Sequence, residues 1–362
     1  MADQLNSRLS ALDVSPVFTG SSPGQALRES VELAQQLEEL GYHRFWVAEH
    51  HNIPNIASCS PSVLIGIIAA STSRLRVGSG GVMLANHSPL LLAEQFGTLE
   101  ALHPGRIDLG IGRAPGADAI TLRALRRPRE IGGDDGFTQQ LDELIGYFGD
   151  PADSRSAAIR AIPAQDSRPP IWLLGSSGYS AQLAGLLGFP FAFAHHFAPA
   201  NAAAAIQLYR DNFRPSAGLD QPYAIVAANV IAADSDQKAR WLAGPMALTS
   251  LLARTANIHQ PHVTPEAAAE RSYTPDEQAF IQDRLASHLV GGPTTLSLKI
   301  ETLLQTTGAN ELMALTMIHS PQDRLQSYRI LAETFGRRGD LPMATVPGPA
   351  LTGSADRRSS ER

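Results

Sequence analysis

The residues best suited to acid–base chemistry are histidines that directly follow apolar runs. Glu49, His50 and His51 come after one such run, and His195 and His196 come after another. An imidazole exchanges protons near neutral pH, and a neighbouring carboxylate can fix which ring nitrogen carries the hydrogen. Strand alternation would turn His50 to the opposite face from Glu49 and His51. These histidines therefore either move protons or form a hydrogen-bonded structural pair under a loop.

A second group of residues has the composition of a phosphate site. Between an apolar run and a helical segment stand four small residues, Gly175, Ser176, Ser177 and Ser180. Hydroxyls there would surround the free N–H groups of a helix start, where anions bind. Arg113 follows another apolar run, and its permanent charge suits a phosphate or an electron-rich carbonyl. The alternatives are that the serines only cap the helix and that the arginine lies on a solvated loop.

Two glycines interrupt the third apolar run, directly after Ser79. Glycine within a strand permits a bulge, or it lets a flat ligand lie against the backbone. Gly80 and Gly81 are compatible with either role. His87 adds a polar group beside the same strand end, and Ser88 is placed to cap the helix that follows.

Two other interpretations of these motifs are rejected. Residues 110–116 resemble a dinucleotide fingerprint only loosely, because the third glycine comes one residue late and Pro115 stands where a helix should begin. A metal ring built from the histidines named above is disfavoured, because adjacent strand residues point apart and the expected carboxylate ligands do not follow the right strands. We therefore expect no metal cofactor.

The motifs belong together because each follows a strand-like run in a repeating pattern. Eight apolar runs alternate with eight helix-like segments, which favours a parallel sheet closed into a TIM (β/α)8 barrel over an open doubly wound sheet. In a barrel of this kind, ligands bind at the carboxyl ends of the strands. We therefore predict an α/β barrel with its site on that rim. The predicted strands are 10–17, 43–51, 74–84, 107–111, 171–174, 191–194, 223–232 and 311–318.

The length of 362 residues suits one barrel with insertions. We predict a single domain over residues 1–340. It carries a long rim loop at 113–137, after the fourth strand, and a lid-like insertion at 234–289, after the seventh. Residues 341–362 are rich in Pro, Ser and Arg and are predicted to be a disordered tail.

Composition narrows the class of partner. The 35 acidic residues outnumber the 29 basic ones, and the basic residues form no stripe, so nucleic acid is not expected as a partner. The single cysteine, Cys59, excludes an internal disulfide. No apolar run approaches the roughly 18 residues that span a bilayer, and the N-terminus has no signal-peptide pattern. We expect a cytoplasmic protein with small-molecule partners and no membrane partner.

Four segments resemble the bacterial luciferase-like monooxygenases, in particular the single-chain, non-luminescent members of that family. They are VAEHHN (47–52), VGSGGVMLANHSPL (77–90), AEQFGTL (93–99) and PGRIDLGIGRAPG (104–116). The resemblance implies a homodimeric TIM barrel that binds reduced FMN, delivered by a separate NAD(P)H:flavin reductase, and uses O2 to oxygenate an organic substrate. The flavin would supply the oxygen chemistry, while the protein positions the substrate and excludes water.

The resemblance also implies roles for individual residues. His50 corresponds to the histidine that acts near the flavin as an acid or base. Arg113 corresponds to an arginine on the phosphate side of the flavin, and the turn 175–180 corresponds to the segment that holds the phosphate. A peptide that is often cis lies under the flavin ring in the family, and here it would fall near Ser79 and Gly80.

Two further sets of contacts complete the predicted site. We expect the flavin to be contacted also by Gly81 and His87, and the substrate to be contacted by His195 and His196. Gly112 stands where luciferase has a cysteine, and the turn after the fifth strand lacks the luciferase glutamate. Neither light emission nor a long-chain aldehyde substrate is therefore expected.

Two alternatives remain open on the same barrel. One is an oxidoreductase that uses the deazaflavin F420 and transfers hydride instead of oxygen. The other is a flavin-binding protein without turnover. The motifs fit the FMN-type monooxygenases better, and we expect the substrate to be an apolar or aromatic molecule, such as a polyketide of secondary metabolism.

Overall fold

The computed structural model describes residues 7–114, 118–125, 134–149, 159–256 and 262–336. Its strands are β1 (Arg8–Asp13), β2 (Arg44–Val47), β3 (Arg76–Ser79), β4 (Val82–Met83), β5 (Ile107–Gly112), β6 (Ile171–Gly175), β7 (Phe191–Ala194), β8 (Ala224–Ala232), β9 (Leu289–Gly291) and β10 (Glu311–Leu315). Its helices are α1 (Pro23–Glu39), α2 (Pro61–Ser71), α3 (Pro89–Leu102), α4 (Ala119–Ala124), α5 (Asp134–Tyr147), α6 (Gly178–Leu187), α7 (Ala202–Asp211), α8 (Asp236–Ala256), α9 (Pro265–Glu270), α10 (Pro275–Ala286), α11 (Pro293–Thr307) and α12 (Pro321–Gly336). Among these helices, none is both long enough and apolar enough to cross a membrane.

The strands close into a parallel barrel. Neighbours follow the order β10, β1, β2, β3, β5, β6, β7, β8, and β10 also pairs with β8. β4 pairs with β5 beyond the end of β3, so β3 and β4 together make the third barrel strand. The predicted TIM (β/α)8 barrel, with insertions after its fourth and seventh strands, is confirmed.

Both faces of the barrel strands are buried, which explains their nearly continuous apolar sequences. Along β2, Phe45 and Val47 pack in the large core between the strands and the helices. Trp46 belongs instead to a cluster contributed by several strands, inside the barrel, with Trp172 and Met313. Side-chain alternation along each strand thus separates an outer core from an inner one.

Charged residues close the amino-terminal end of the barrel. The Arg44 guanidinium lies 2.7 Å from Asp108 and 2.7 Å from Glu311, and all three side chains are buried. Trp46 Nε1 donates to Asp108, and the Tyr223 hydroxyl donates to Glu311. Burial alone would lower the pKa of Arg44, but Glu311 and Asp108 raise it above its usual range. Because every charge is paired, this end of the barrel serves stability rather than binding.

Four predicted strands are shorter than expected, and the eighth ends at Leu315 rather than at residue 318. The first and second end at Asp13 and Val47 rather than at residues 17 and 51, so the Glu-His-His run lies in the loop that follows β2. The third is broken at Gly80–Gly81, the peptide between these two residues is cis, and a 3-10 turn follows at Leu84–Asn86. A Cβ on Gly81 would come within 2.9 Å of the Gly110 carbonyl. Glycine is therefore required where the chain leaves the regular strand.

The start of α3 also differs from the prediction. Ser88 precedes the helix, but its side chain makes no capping hydrogen bond. Pro89 occupies the first helical position, where its missing N–H and fixed φ favour the helix start without a side-chain cap.

Both insertions contain helices. Within the rim loop 113–137, α4 begins where the Asp118 carboxylate accepts a hydrogen bond from the Thr121 N–H, and the rest of that loop lies partly outside the described residues. The insertion 234–289 contains α8, α9 and α10, and β9 follows it as an unpredicted strand that pairs with the end of β8. The predicted tail, 341–362, lies outside the described residues.

The insertion is attached to the barrel by hydrogen bonds. His262 pairs through its backbone with Val17 and Thr19 in the loop after β1. Its ring lies between the Asn55 amide and the Thr249 hydroxyl of α8, at 3.4 and 3.0 Å. Burial lowers the pKa of His262 to about 4, so the contact is made by a neutral imidazole.

Candidate active site

A cavity of about 200 Å³ opens at the carboxyl ends of the barrel strands. Most of the predicted site residues line it: Gly80, Gly81, Arg113, Gly175, Ser176, Ser177, Ser180 and His196. The walls also include apolar side chains of Leu12, Trp46, Met83, Leu174, Phe193, Phe197 and Met313. Groups that are far apart in the sequence therefore surround one concave site. Predicted residues that are not part of this lining are His50, Ser79, His87 and His195.

The floor of the cavity is backbone. The cis peptide joins Gly80 to Gly81, one residue later than the sequence predicts. A Cβ on Gly80 would come within 2.7 Å of Leu12, so neither glycine can carry a side chain without displacing a neighbour. Ser79 is fully buried in the barrel wall, where its hydroxyl exchanges two hydrogen bonds with the Gly110 backbone, each 2.9 Å long. The strip Gly80–Gly81 thus lines the cavity with backbone that carries no side chains, which suits a planar ring.

One end of the cavity brings together groups of the kinds that bind anions in proteins. Ser177 stands at the N-cap of α6, but its side chain makes no capping hydrogen bond, so capping does not account for this hydroxyl. A Cβ on Gly175 would come within 2.5 Å of Ser180, which shows how tightly the turn is packed. The Arg113 guanidinium lies 4.4 Å from the centroid of the Tyr179 ring, so Arg113 is not a loosely solvated loop residue. Free N–H groups, hydroxyls and a cation converge here.

Glu49 ties two loops of the rim together. Its carboxylate is fully buried and accepts hydrogen bonds from His51 Nε2 and His87 Nε2, both at 2.9 Å, and from the Met83 N–H at 3.0 Å and Asn86 Nδ2 at 3.1 Å. Burial raises the pKa of Glu49, but the hydrogen bonds, led by that from His87, hold it below its usual range. The ionised carboxylate therefore fixes the segment that follows the glycine floor.

Substitution of Glu49 by glutamine is expected to lower the free energy of unfolding by about 1–3 kcal/mol, because a buried charge-assisted acceptor is lost while its donors stay in place. Denaturant unfolding followed by circular dichroism measures this change. Glu39→Gln, at an exposed carboxylate of α1, is the matched control and should change stability little. Equal stability of the two variants would show that the four hydrogen bonds do not hold the rim.

His50 lies apart from this network. The alternation of side chains along a strand predicts that His50 is separated from Glu49 and His51. The separation is present even though β2 ends before these three residues. Its backbone N–H donates to the Ser58 carbonyl at 3.0 Å, and its Nδ1 is buried without a hydrogen-bond partner among the described residues. Burial lowers the pKa of His50, with a smaller contribution from His51, and the Glu49 charge offsets this only in part. At neutral pH the ring is an uncharged imidazole that can accept a proton.

The histidine pair after β7 divides between two sites. His196 lines the rim cavity, whereas His195 lines a separate groove of about 410 Å³ beside His288 and Lys299. Both rings are buried. Across the described residues, no group of three or more His, Cys, Asp or Glu side chains could hold a metal ion.

Several lining residues were not predicted. Trp46 lies on the inner face of β2. The alternation of side chains along the strand, which separates the inner core from the outer one, is enough to identify it as a lining residue. Phe197 directly follows the predicted histidine pair and is exposed at the mouth of the cavity. Met83 follows the glycines by two residues, and only the break in the third strand brings it to the rim.

A family model for luciferase-like monooxygenases matches residues 8–311, and the protein belongs to that family. A luciferase-like monooxygenase of Escherichia coli (strain K12) is 47% identical over 322 residues, which cover 89% of this chain and 95% of that protein. The N-acetyl-S-alkylcysteine monooxygenase of Bacillus subtilis (strain 168) is 47% identical over 194 residues, 52% of this chain and 57% of that protein.

Solved structures show the same fold. The crystal structure of apo-MsnO8 superposes with a TM-score of 0.81 at 35% identity, covering 91% of this chain and 98% of that one. An FMN complex of the oxygenating constituent of 3,6-diketocamphane monooxygenase from Pseudomonas putida has a TM-score of 0.67 at 19% identity, with 93% and 99% coverage. An F420-dependent secondary alcohol dehydrogenase has a TM-score of 0.63 at 12% identity, with 91% and 98% coverage. The last two similarities show only that the fold is shared. They do not decide whether this chain binds FMN or F420.

Proposed function

We propose that the protein is an FMN-dependent monooxygenase. It takes reduced FMN from a separate NAD(P)H:flavin reductase and uses O2 to oxygenate an apolar or aromatic organic molecule. The observation that carries this proposal is that one cavity is lined both by the Gly80–Gly81 strip and by Arg113 with the serines of the turn before α6. The named monooxygenases among the relatives favour oxygen transfer over hydride transfer.

The residues present fit FMN in chemistry and arrangement. The phosphate would be held by Arg113 and by the hydroxyls and N–H groups of the turn at Ser176, Ser177 and Ser180, and the ring would lie on Gly80–Gly81. When bound in its reduced form, the flavin supplies the electrons that activate dioxygen. The apolar walls exclude water from the reacting atoms. His50 moves the proton that the reaction requires, and its uncharged ring makes it a base.

Arg113→Ala is expected to weaken FMN binding by about 10- to 100-fold, because one charge-assisted hydrogen-bonding partner of the phosphate is lost. Riboflavin has the same ring without the phosphate, so its affinity should not change. Quenching of flavin fluorescence measures both affinities. Arg123→Ala, at an exposed arginine of α4, is the control. A matching loss for riboflavin would place the role of Arg113 at the ring instead of the phosphate.

Isotope labelling tests the activity itself. The purified protein is supplied with FMN, NADH, a flavin reductase and 18O2, together with a panel of aromatic and thioether compounds. The proposal expects one 18O atom in the product by mass spectrometry. Turnover with reduced F420 and without oxygen uptake would favour the hydride-transfer alternative, and flavin binding without any product would favour a non-catalytic protein.

We further propose that the enzyme is a homodimer assembled through α2 and α3. The outer faces of these neighbouring helices expose the large apolar side chains of Val63, Ile67, Leu91 and Leu102. Contiguous exposed apolar residues mark interaction surfaces. Ile67→Glu is expected to give a monomer in sedimentation equilibrium, while Leu298→Glu on α11, another exposed leucine, should leave the dimer intact. An Ile67→Glu dimer would place the interface elsewhere.

A further inference from the structure

His196 is held in one orientation at the end of β7. Its Nδ1 lies 2.9 Å from the Ala227 carbonyl of β8, and its backbone N–H donates to the same oxygen at 3.1 Å. Its own carbonyl accepts a hydrogen bond from Arg284 at 3.4 Å. Both edges of the residue are therefore anchored, one to β8 and one to α10.

This contact also determines the tautomer of the ring. A carbonyl oxygen can only accept, so Nδ1 must carry the hydrogen. Burial lowers the pKa of His196 to about 4; the hydrogen bond to Ala227 opposes this effect, and smaller contributions from His195, His50 and Arg284 add to the lowering. The ring is thus neutral near pH 7, and its Nε2 presents a lone pair. No described residue forms a hydrogen bond with Nε2.

Few other side chains in the described lining of the cavity can form hydrogen bonds. Apart from the anion-binding end, the described lining residues with polar side chains are His196 and Trp46. Trp46 Nε1 already donates to Asp108 at 3.0 Å. Among the described lining residues, the part of the cavity away from Arg113 and the serines therefore offers one fixed side-chain hydrogen-bond acceptor, within apolar walls.

We propose that His196 Nε2 accepts a hydrogen bond from a hydroxyl or N–H group of the substrate, so that the substrate is an apolar molecule with one donor, such as a phenol or an alcohol. This inference rests on the proposed function, since it takes the rim cavity as the place where flavin and substrate meet. A ketone or ether of the same shape would bring an acceptor against an acceptor. It would leave Nε2 unpaired, which costs affinity.

A matched ligand pair tests the inference without turnover. The protein is saturated with oxidised FMN, and 2-naphthol and 2-methoxynaphthalene are titrated by calorimetry. We expect 2-naphthol to bind about 10-fold more tightly. His196→Phe keeps a ring but removes the acceptor, so the preference should disappear. His195→Phe, whose ring lies in the other groove, should retain it. Equal affinities for wild-type protein, or no binding of either compound, would overturn the inference.

Two further measurements separate this inference from the proposed function. FMN affinity should be the same in wild-type protein and in His196→Phe, and a wild-type protein that binds no FMN would contradict the proposed function itself. Long-range ¹H–¹⁵N spectra, with the signal of His196 assigned by its loss in His196→Phe, should show a ring protonated on Nδ1 at pH 7. A ring protonated on Nε2 would overturn the inference while leaving the proposed function intact.

Discussion

Replacing His50 with alanine is expected to reduce kcat/KM for oxygenation by about 10²- to 10⁴-fold, the usual contribution of a positioned acid or base. The ring is uncharged, its Nδ1 has no partner among the described residues, and it lies near enough to His196 to affect the pKa of that ring. FMN affinity should change little, because the phosphate and the floor are bound by other residues. Steady-state oxygen consumption, coupled to product formation, measures the effect.

The same role for His50 predicts the direction in which kcat/KM changes with pH. A base must be neutral, so kcat/KM should be highest above the pKa of His50 and should fall as the pH drops through it. Because burial lowers that pKa below the ordinary value of 6.5, the fall should lie below pH 6.5. The fall should vanish in His50→Ala. His103→Ala, at the opposite end of the barrel after α3, is the control for histidine removal. An unchanged rate and profile in His50→Ala would exclude the role.

Arg44→Met is expected to lower the free energy of unfolding by about 3–5 kcal/mol, because it leaves two carboxylates buried inside the barrel without their shared cation. Asp108 keeps Arg76 as a partner at 2.6 Å, but the guanidinium nearest Glu311 is gone. Thermal and denaturant unfolding measure the loss. Arg329→Met, at an exposed arginine of α12, should stay within about 0.5 kcal/mol of wild type. Comparable effects at the two sites would show that the network contributes no stability.

Much of the fold could be predicted from local patterns. The alternation of apolar runs and helical segments identifies the eight barrel strands, because each run must be buried on both faces and each helix on one. The sequence predicts the ends of the strands less accurately than their existence. The second strand is predicted to continue through Glu49, His50 and His51, whereas its pairing with the first strand ends at Val47. The break in the third strand at Gly80–Gly81 depends on a contact with Gly110 in the next strand. The sequence around the two glycines cannot reveal that contact.

The parts of the candidate site that depend on backbone chemistry are the ones that the sequence predicts best. The turn at Ser177 and the strip at Gly80–Gly81 rest on helix ends and on glycine, whose properties do not depend on distant partners. His87 is predicted to contact the flavin; in the structure its ring forms a hydrogen bond with Glu49, which only the packing of two loops brings within reach. Alternation predicts that His195 and His196 point apart, but only the positions of β8 and α11 show which of the two lines the rim cavity. Such differences arise from packing between elements.

The central claim is that the phosphate and ring of FMN occupy the two parts of the rim cavity, and a crystal structure of the FMN complex tests it most directly. We expect phosphate oxygens within about 3 Å of the Arg113 guanidinium and of Ser177, with the ring stacked on Gly80–Gly81. A flavin bound with its phosphate away from α6, or with its ring outside the barrel mouth, would contradict the account.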